Sequence, residues 1–494
     1  MCAWCGQKIG SGVARFKVVA PFREIERLDD INTVSMNRSR QMGYGTADLG
    51  IAAVESIVQL YLLKFYSEVV GLSAVWVGIA LAVAMIWDAI SDPLMGGISD
   101  RTAHFQGRRR PYFVPGSMLL ALTFFLLFNP PAAGQSVVTF LYLLSSFLLL
   151  NTSMTLVAVP HAALAGELSS DRHERSALFG FKRLFATLGA LLGLVLPALV
   201  LAYWGEPNDP AAMARARSAA SGLLAPAIIG TAWLSYRLTS GLDRSARESM
   251  QWKWGLLVHL VLEQREALKN PLFRLLVIAF IVAAVGRTLN ASIALYYYEY
   301  FLQLSEQDAV VWVLLPFFLS FIASVPMWIF LGKRWGKKRA ALLGVLSLGA
   351  TTTLVYPLMP AGEIVFPLAY SLIGGVMAGA IVLMDALVAD SIDYDRIKVQ
   401  RAREGLYFGV WKMSTKVARA LGLLLAGILL DLIGFAEGGG EVSAEVSFRL
   451  AFLFGPVVGV LFVTAGVILL FLPLDNTLHD RIQRIVQRRW QRYD

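Results

Sequence analysis

The chain has little of what soluble catalysis or a secreted scaffold requires. Of its 494 residues only two are cysteine and five histidine. Both cysteines, Cys2 and Cys5, precede the first long apolar run, so no disulfide framework and no zinc-type Cys/His spacing is available. A lone C-x-x-C is weak support for metal or redox chemistry. No G-x-S-x-G elbow occurs, nor a phosphate-cradling glycine loop with its lysine, and an enzyme is not expected. Charge is scarce as well: 16% of residues are Asp, Glu, Lys or Arg, against about 25% in an ordinary soluble domain. The first 40 residues are polar and lack the apolar stretch of a cleavable signal peptide. Met36 opens "MNRSRQMGYG", and residues 1–35 read as a dispensable extension or a misassigned start.

What is plentiful is apolar sequence, 56% of the chain. It is arranged in blocks near the roughly 20 residues that a bilayer crossing needs. Twelve spans are expected, near 44–66, 73–98, 112–129, 136–166, 177–204, 219–239, 272–303, 308–332, 339–359, 363–390, 405–434 and 447–473. The loops alternate in charge. One side carries "DRTAHFQGRRR", "SSDRHERSALFGFKR", the 240–271 segment, "GKRWGKKR", "DRIKVQRAR" and "RIQRIVQRRWQR". The other carries "NPPAAGQ", "WGEPNDP", "LSEQD", "PAGE" and "AEGGGEVSAE". The net charge of +9 therefore follows the positive-inside pattern rather than marking a nucleic-acid surface, and places both termini in the cytoplasm.

The organisation expected is a cytoplasmic extension (1–42), a six-helix bundle (43–239), a basic central loop (240–271), a second six-helix bundle (272–474) and a basic tail (475–494). The turns "GGISDRT…GRRR" after span 2 and "LGKRWGKKR" after span 8 echo each other, as a parallel repeat would produce, with a substrate site between the halves near mid-bilayer. Asp100, Arg101 and Arg108 in the first of these turns are the expected gating residues. Residues 251–268 and the tail are amphipathic and suit the membrane surface.

An ionised side chain at mid-bilayer costs at least about 2.5–3.5 kcal/mol, so each one is a functional candidate. Asp88 and Asp92 in "WDAISDP" lie at i, i+4 on one face, where both can reach one small cation. A proton or a hard cation with oxygen ligands would satisfy the pair, as would a structural ion pair to another helix. Span 11 carries Lys412, Lys416 and Arg419 as possible partners. Glu55 in span 1 and Arg287 in span 7 are the deepest remaining charges and should face a cavity. The aromatic run that includes Tyr297 suits either a cavity wall or an interface belt. His161, beside Pro160, is either a proton-linked ligand or simply hydrogen-bonded.

The stretches "FYSEVVGLSAVWVG…VAMIWDAISDPLMGGISDRT…GRRRPY" and "GLYFGVWKMSTK" resemble the glycoside–pentoside–hexuronide:cation symporters. These are a branch of the major facilitator superfamily typified by melibiose permease, and the resemblance extends to animal sodium-dependent lysophospholipid symporters. It spans about residues 42–475. It implies an all-α fold of twelve transmembrane helices in two six-helix bundles, with no cofactor and Na+ or H+ as coupling ion. Asp88 and Asp92 match the family's cation-site aspartates, Ser91 replaces the usual asparagine, and Thr155 matches the threonine ligand. Lys416 matches the span 11 lysine, which would couple ion occupancy to movement, and Arg183 matches an arginine that helps bind sugar.

The departures concern sugar recognition. Aspartates of melibiose permease align with Ala52 and Ala158, and a tryptophan aligns with Ala162. Glu55 and His161, each one turn further on, are candidate replacements, and Arg287, Tyr297 and Lys412 complete the expected substrate set. The resulting expectation is a cation-coupled symporter of a glycoside, pentoside or hexuronide in a bacterial inner membrane. It would act as a monomer, with the bilayer and a small-molecule substrate as partners and no nucleic acid. A lysophospholipid or other amphiphile is the alternative substrate, and a non-transporting scaffold or sensor is the alternative class.

Overall fold

Among the described residues of the computed structural model, twelve helices are long and apolar enough to cross a membrane. They are α1 (Arg38–Val69), α2 (Ala74–Arg101), α3 (Arg110–Leu127), α4 (Val137–Ala165), α5 (Glu174–Tyr203) and α6 (Ala211–Leu238). The second six are α7 (Pro271–Phe301), α8 (Glu306–Trp335), α9 (Lys337–Leu358), α10 (Val365–Asp395), α11 (Gly405–Leu432) and α12 (Ala444–Leu470). The structure describes residues 36–102, 104–131, 136–169, 172–204, 210–241, 265–399, 404–435, 438 and 442–473. The 1–35 extension, nearly all of the amphipathic 251–268 segment and the 475–494 tail lie outside the described residues.

Helix starts follow local chemistry. Ser136, Ser305 and Ser443 cap α4, the short turn that opens α8, and α12, each accepting from the amide three residues on. Asn270 does the same for Leu272 ahead of Pro271, whose missing N–H is harmless in the first helical turn. Pro93, Pro160, Pro197, Pro226 and Pro326 sit inside helices, which neighbouring spans tolerate in membranes.

The repeat is visible in the packing. Helix α1 packs on α5, α2 on α4 and α3 on α6; six helices later α7 packs on α11, α8 on α10 and α9 on α12. Small residues allow the close approaches. A Cβ added at Gly189 of α5 would meet the Leu49 carbonyl oxygen of α1 at 2.1 Å. The halves meet chiefly where α2 crosses α11 and α1 crosses α7. At the first crossing a Cβ on Gly427 would lie 2.2 Å from the Ala74 carbonyl oxygen.

The ends of α1 and α7 are also twins. Both finish in a five-residue π-turn, Phe65–Val69 and Tyr297–Phe301. Both then close the same way, with Val70 N–H donating to Phe65 O (3.0 Å) and Leu302 N–H to Tyr297 O (3.1 Å). Gly71 and Gln303 occupy matching positions with φ of 78° and 55°. Gln303 is the sole non-glycine residue at positive φ among those described.

Candidate functional site

The second half of α2 faces α4 on one side and α11 on the other. Lys416 Nζ of α11 lies 2.7 Å from Asp88 Oδ2 and 2.7 Å from Asp92 Oδ2, and also donates to the Asp88 carbonyl at 2.9 Å. Lys412, one turn earlier, reaches Asp92 Oδ2 at 3.1 Å. The Thr155 hydroxyl of α4 lies 3.1 Å from one oxygen of each aspartate and 3.2 Å from Ser91 Oγ. Lys416 is 15% exposed and Lys412 66%, so the outer lysine borders water while the inner one is enclosed.

This donor set suits a small, hard cation or a proton: two carboxylates and two hydroxyls, all oxygen. Among the described residues no cluster of three or more carboxylate, imidazole or thiol groups is placed to hold a metal. An ion taken here would rest on two aspartates and two hydroxyls. Lys416 stands at the point where the two carboxylates converge.

Near the aspartates a narrow cleft lies between the halves, lined by the polar residues Glu55, Gln59, Asn151, Thr288 and Arg419. Val58, Met85, Phe147, Leu150, Met154 and Leu423 form its apolar wall. Arg419 donates to Gln59 Oε1 at 3.0 Å and lies 3.9 Å from Glu55. Glu55 thus occupies the expected cavity. Arg287 is exposed on α7, within electrostatic reach of Arg419 and Asp385. Arg183 of α5 is exposed and reaches Asp385 electrostatically from the opposite half. Asp385 accepts from Trp411 Nε1 at 2.9 Å.

Two expected substrate residues are elsewhere. His161 is wholly buried, stacked on Tyr44 at 4.4 Å and edge-on to Phe113. Its Nε2 donates to the Tyr44 carbonyl at 2.7 Å, and its Nδ1 lies 3.4 Å from Asp48. It clamps α4 to α1 instead of facing the cleft, because position 161 turns toward α1 and not toward α11. Tyr297 is likewise fully buried, stacked on Phe454 at 4.3 Å with its hydroxyl donating to Tyr356 O at 2.7 Å. It anchors α7 to α9 and α12, and neither lines the cavity nor reaches the interface.

At the basic end, Asp100 pairs with Arg109 (2.9 Å) and Arg108 with Glu167. Arg109 also reaches Glu167 at 2.7 Å, and Arg101 donates to Gly97 O at 2.7 Å. The echo after span 8 makes the matching contact, Lys337 to Asp390 of α10 at 2.6 Å. Arg109 and Glu167 escape the sequence reading, although the run of three arginines at 108–110 signals that more than one would be held.

A larger omission lies at the opposite end. Lys64 sits 2.5 Å from Glu68 and 2.6 Å from Glu299 of the other half, and Arg217 of α6 is paired with Glu306 of α8. Charges within a turn of a span's end look like interface residues in sequence, yet the side chains of Lys64, Glu68, Arg217 and Glu306 are all at most 4% exposed.

Twelve spans in two repeated six-helix bundles, with ionisable groups gathered between them, define a membrane carrier of the major facilitator type rather than an enzyme. The MFS/sugar transport protein family model matches residues 43–476, and the chain belongs to that family. Similar curated proteins include the uncharacterized symporter YnaJ of Bacillus subtilis, 26% identical over 84% of this chain and 87% of that one. The isoprimeverose transporter of Lactiplantibacillus pentosus is 25% identical, with 89% of each chain covered. The mouse sodium-dependent lysophosphatidylcholine symporter 1 is 24% identical over 88% of this chain and 84% of its own length. Among solved structures the nucleoside transporter NupG shares the fold, with a TM-score of 0.62 at 12% identity over 88% of this chain and all of that one.

Proposed function

We propose that the chain is a Na+- or H+-coupled symporter of a sugar-type solute, working by alternating access. The observation that carries this reading is the convergence of Asp88, Asp92 and Thr155 from one half on Lys416 from the other. A cation entering the site competes with Lys416 for the same oxygens. It therefore loosens the tie between halves, a physical route from ion occupancy to rocking. Asp88 and Asp92 would hold the ion, with Thr155 and Ser91 supplying hydroxyl oxygens. Glu55, Arg419, Arg287 and Arg183 would grip solute hydroxyls or a carboxylate, with Lys412 at the rim. The basic loops, including Asp100, Arg101 and Arg108, would lie in the cytoplasm with both termini, in a bacterial inner membrane.

The apolar residues lining the cleft favour a second reading, an amphiphile such as a lysophospholipid, and one relative's name points the same way. The two are separated by which solute drives ion-dependent uptake into proteoliposomes. In either case Asp88→Asn should abolish coupled uptake, and normal coupled uptake in that variant would sink the scheme.

A further inference from the structure

The charges enclosed at the end opposite the basic loops, all buried except the half-buried Glu299, do not balance among the described residues. Helix α1 contributes Lys64 and Glu68, α6 Arg217, α7 Glu299 and α8 Glu306, and these groups lie within electrostatic reach of one another. Among the described residues the other titratable groups within electrostatic reach are the phenols of Tyr61, Tyr296 and Tyr300, and the start of α12 packed on the Tyr297–Phe301 turn carries Glu445 and Arg449, paired with each other at 2.5 Å. Arg217 stacks on Tyr61 at 4.3 Å, and Tyr300 stands beside Glu68. That makes three carboxylates against two cations. Glu68 Oε1 is buried, and beyond the Tyr300 phenol beside it and the Lys64 shared with Glu299 no side chain compensates the Glu68 charge among the described residues. No further cation can come from the connecting segments at this end: residues 70–73, 128–136, 204–210, 302–305, 359–364 and 433–443 contain no lysine or arginine.

An uncompensated carboxylate enclosed in protein is strongly unfavourable, and two carboxylates sharing one ammonium are relieved most simply by a proton. We propose that this cluster is a gate with a proton-binding site of its own, between Glu68 and Glu299, distinct from the Asp88/Asp92 site and filled when the halves close at this end. The closed form binds one proton more than the open form. When the halves part, Lys64 keeps Glu68 on its own helix, 2.5 Å away, and Glu299 leaves to be hydrated as an ordinary carboxylate. The sign follows from linkage: the state that binds the extra proton is favoured by acid, so raising pH opens this end, by up to tenfold in the closed-to-open ratio per pH unit for one proton. The inference rests on the alternating-access reading for its purpose but not for its measurement.

The test uses distances across the gate in the whole chain. Spin labels on Val138→Cys and Leu358→Cys, both exposed and in opposite halves, are measured in nanodiscs without Na+. The background is Cys2→Ser, Cys5→Ser, and Asp88→Asn to silence the cation site. Between about pH 5 and about 9 the closed population should fall with pH. Glu299→Gln, and independently Glu68→Gln, should stay closed throughout, because a neutral amide replaces the bound proton. A flat pH response without either substitution, or an undiminished one in both variants, overturns the gate. Uncoupled transport in the Asp88→Asn variant bears only on the symport reading, so the two can fail separately.

Discussion

Replacing Lys416 with methionine removes a charge while keeping a long, unbranched side chain in place. The ammonium holds two carboxylates at 2.7 Å each and is 15% exposed. A charge-assisted hydrogen bond of this kind contributes about 1.5–3 kcal/mol. Taking the lower value for two bonds, and discounting a third for contact with water and for Lys412 nearby, leaves about 2 kcal/mol. A cation entering the wild-type site must displace that interaction; in Lys416→Met it need not. At 1.4 kcal/mol per tenfold, the coupling ion should bind roughly thirtyfold more tightly, while uptake driven by its gradient falls because occupancy no longer breaks a tie between halves. Calorimetric titration of purified protein with Na+, paired with uptake into proteoliposomes, reads both quantities. If Na+ is not the coupling ion, the same variant is read by proton release across a pH titration. Unchanged or weaker ion affinity with coupled uptake intact would refute the competition between Lys416 and the ion.

Two further substitutions probe the scaffold. Gly427→Ala inserts a methyl group against the Ala74 carbonyl, where a Cβ has only 2.2 Å; it should destabilise the closed α2–α11 crossing by about 1–3 kcal/mol, seen as a lower melting temperature and a smaller closed population by spin-label distances. His161→Phe keeps the stacking on Tyr44 but removes one of two side-chain donors to the Tyr44 carbonyl, leaving the Ser235 hydroxyl at 3.2 Å, a loss of about 0.5–1.5 kcal/mol in stability. Solute and ion affinity should stay within about twofold if His161 is a clamp, and a changed solute affinity at unchanged stability would return it to the cleft.

The spans were legible because hydropathy and loop charge vary on the length scale of a bilayer crossing, and the lipid permits few alternatives to a helix. Asp88, Asp92 and Lys416 stood out for the same reason, as charges deep in apolar helices. Periodicity reveals which residues share a helix face but not which neighbour that face meets. That is why His161 and Tyr297 entered the expected substrate set although both are packed between helices, His161 in the simply hydrogen-bonded role that was its alternative. The Lys64–Glu68–Glu299 and Arg217–Glu306 pairs were illegible for another reason. Each lies near a span's end, where a charge costs little if it is wet, and only the packing of α1 on α7 and of α6 beside α8 shows that Lys64, Glu68, Arg217 and Glu306 are dry. Glu55 lines the cleft one turn before Gln59, further from the span's end than these pairs.

The twin π-turns carry a consequence for how the halves are held together. Superposing Phe65–Val69 on Tyr297–Phe301 matches Lys64 with Tyr296 and Ser67 with Glu299. The contact Ser67 to Tyr296 (2.6 Å) and the contact Lys64 to Glu299 (2.6 Å) are therefore one and the same contact, seen from the two sides of the pseudo-twofold axis. On one side it is a neutral hydroxyl pair, indifferent to pH and salt; on the other it is ionic and answers to both. Duplicated architecture thus gives one crossing two locks side by side, of which only the ionic one answers to pH and salt.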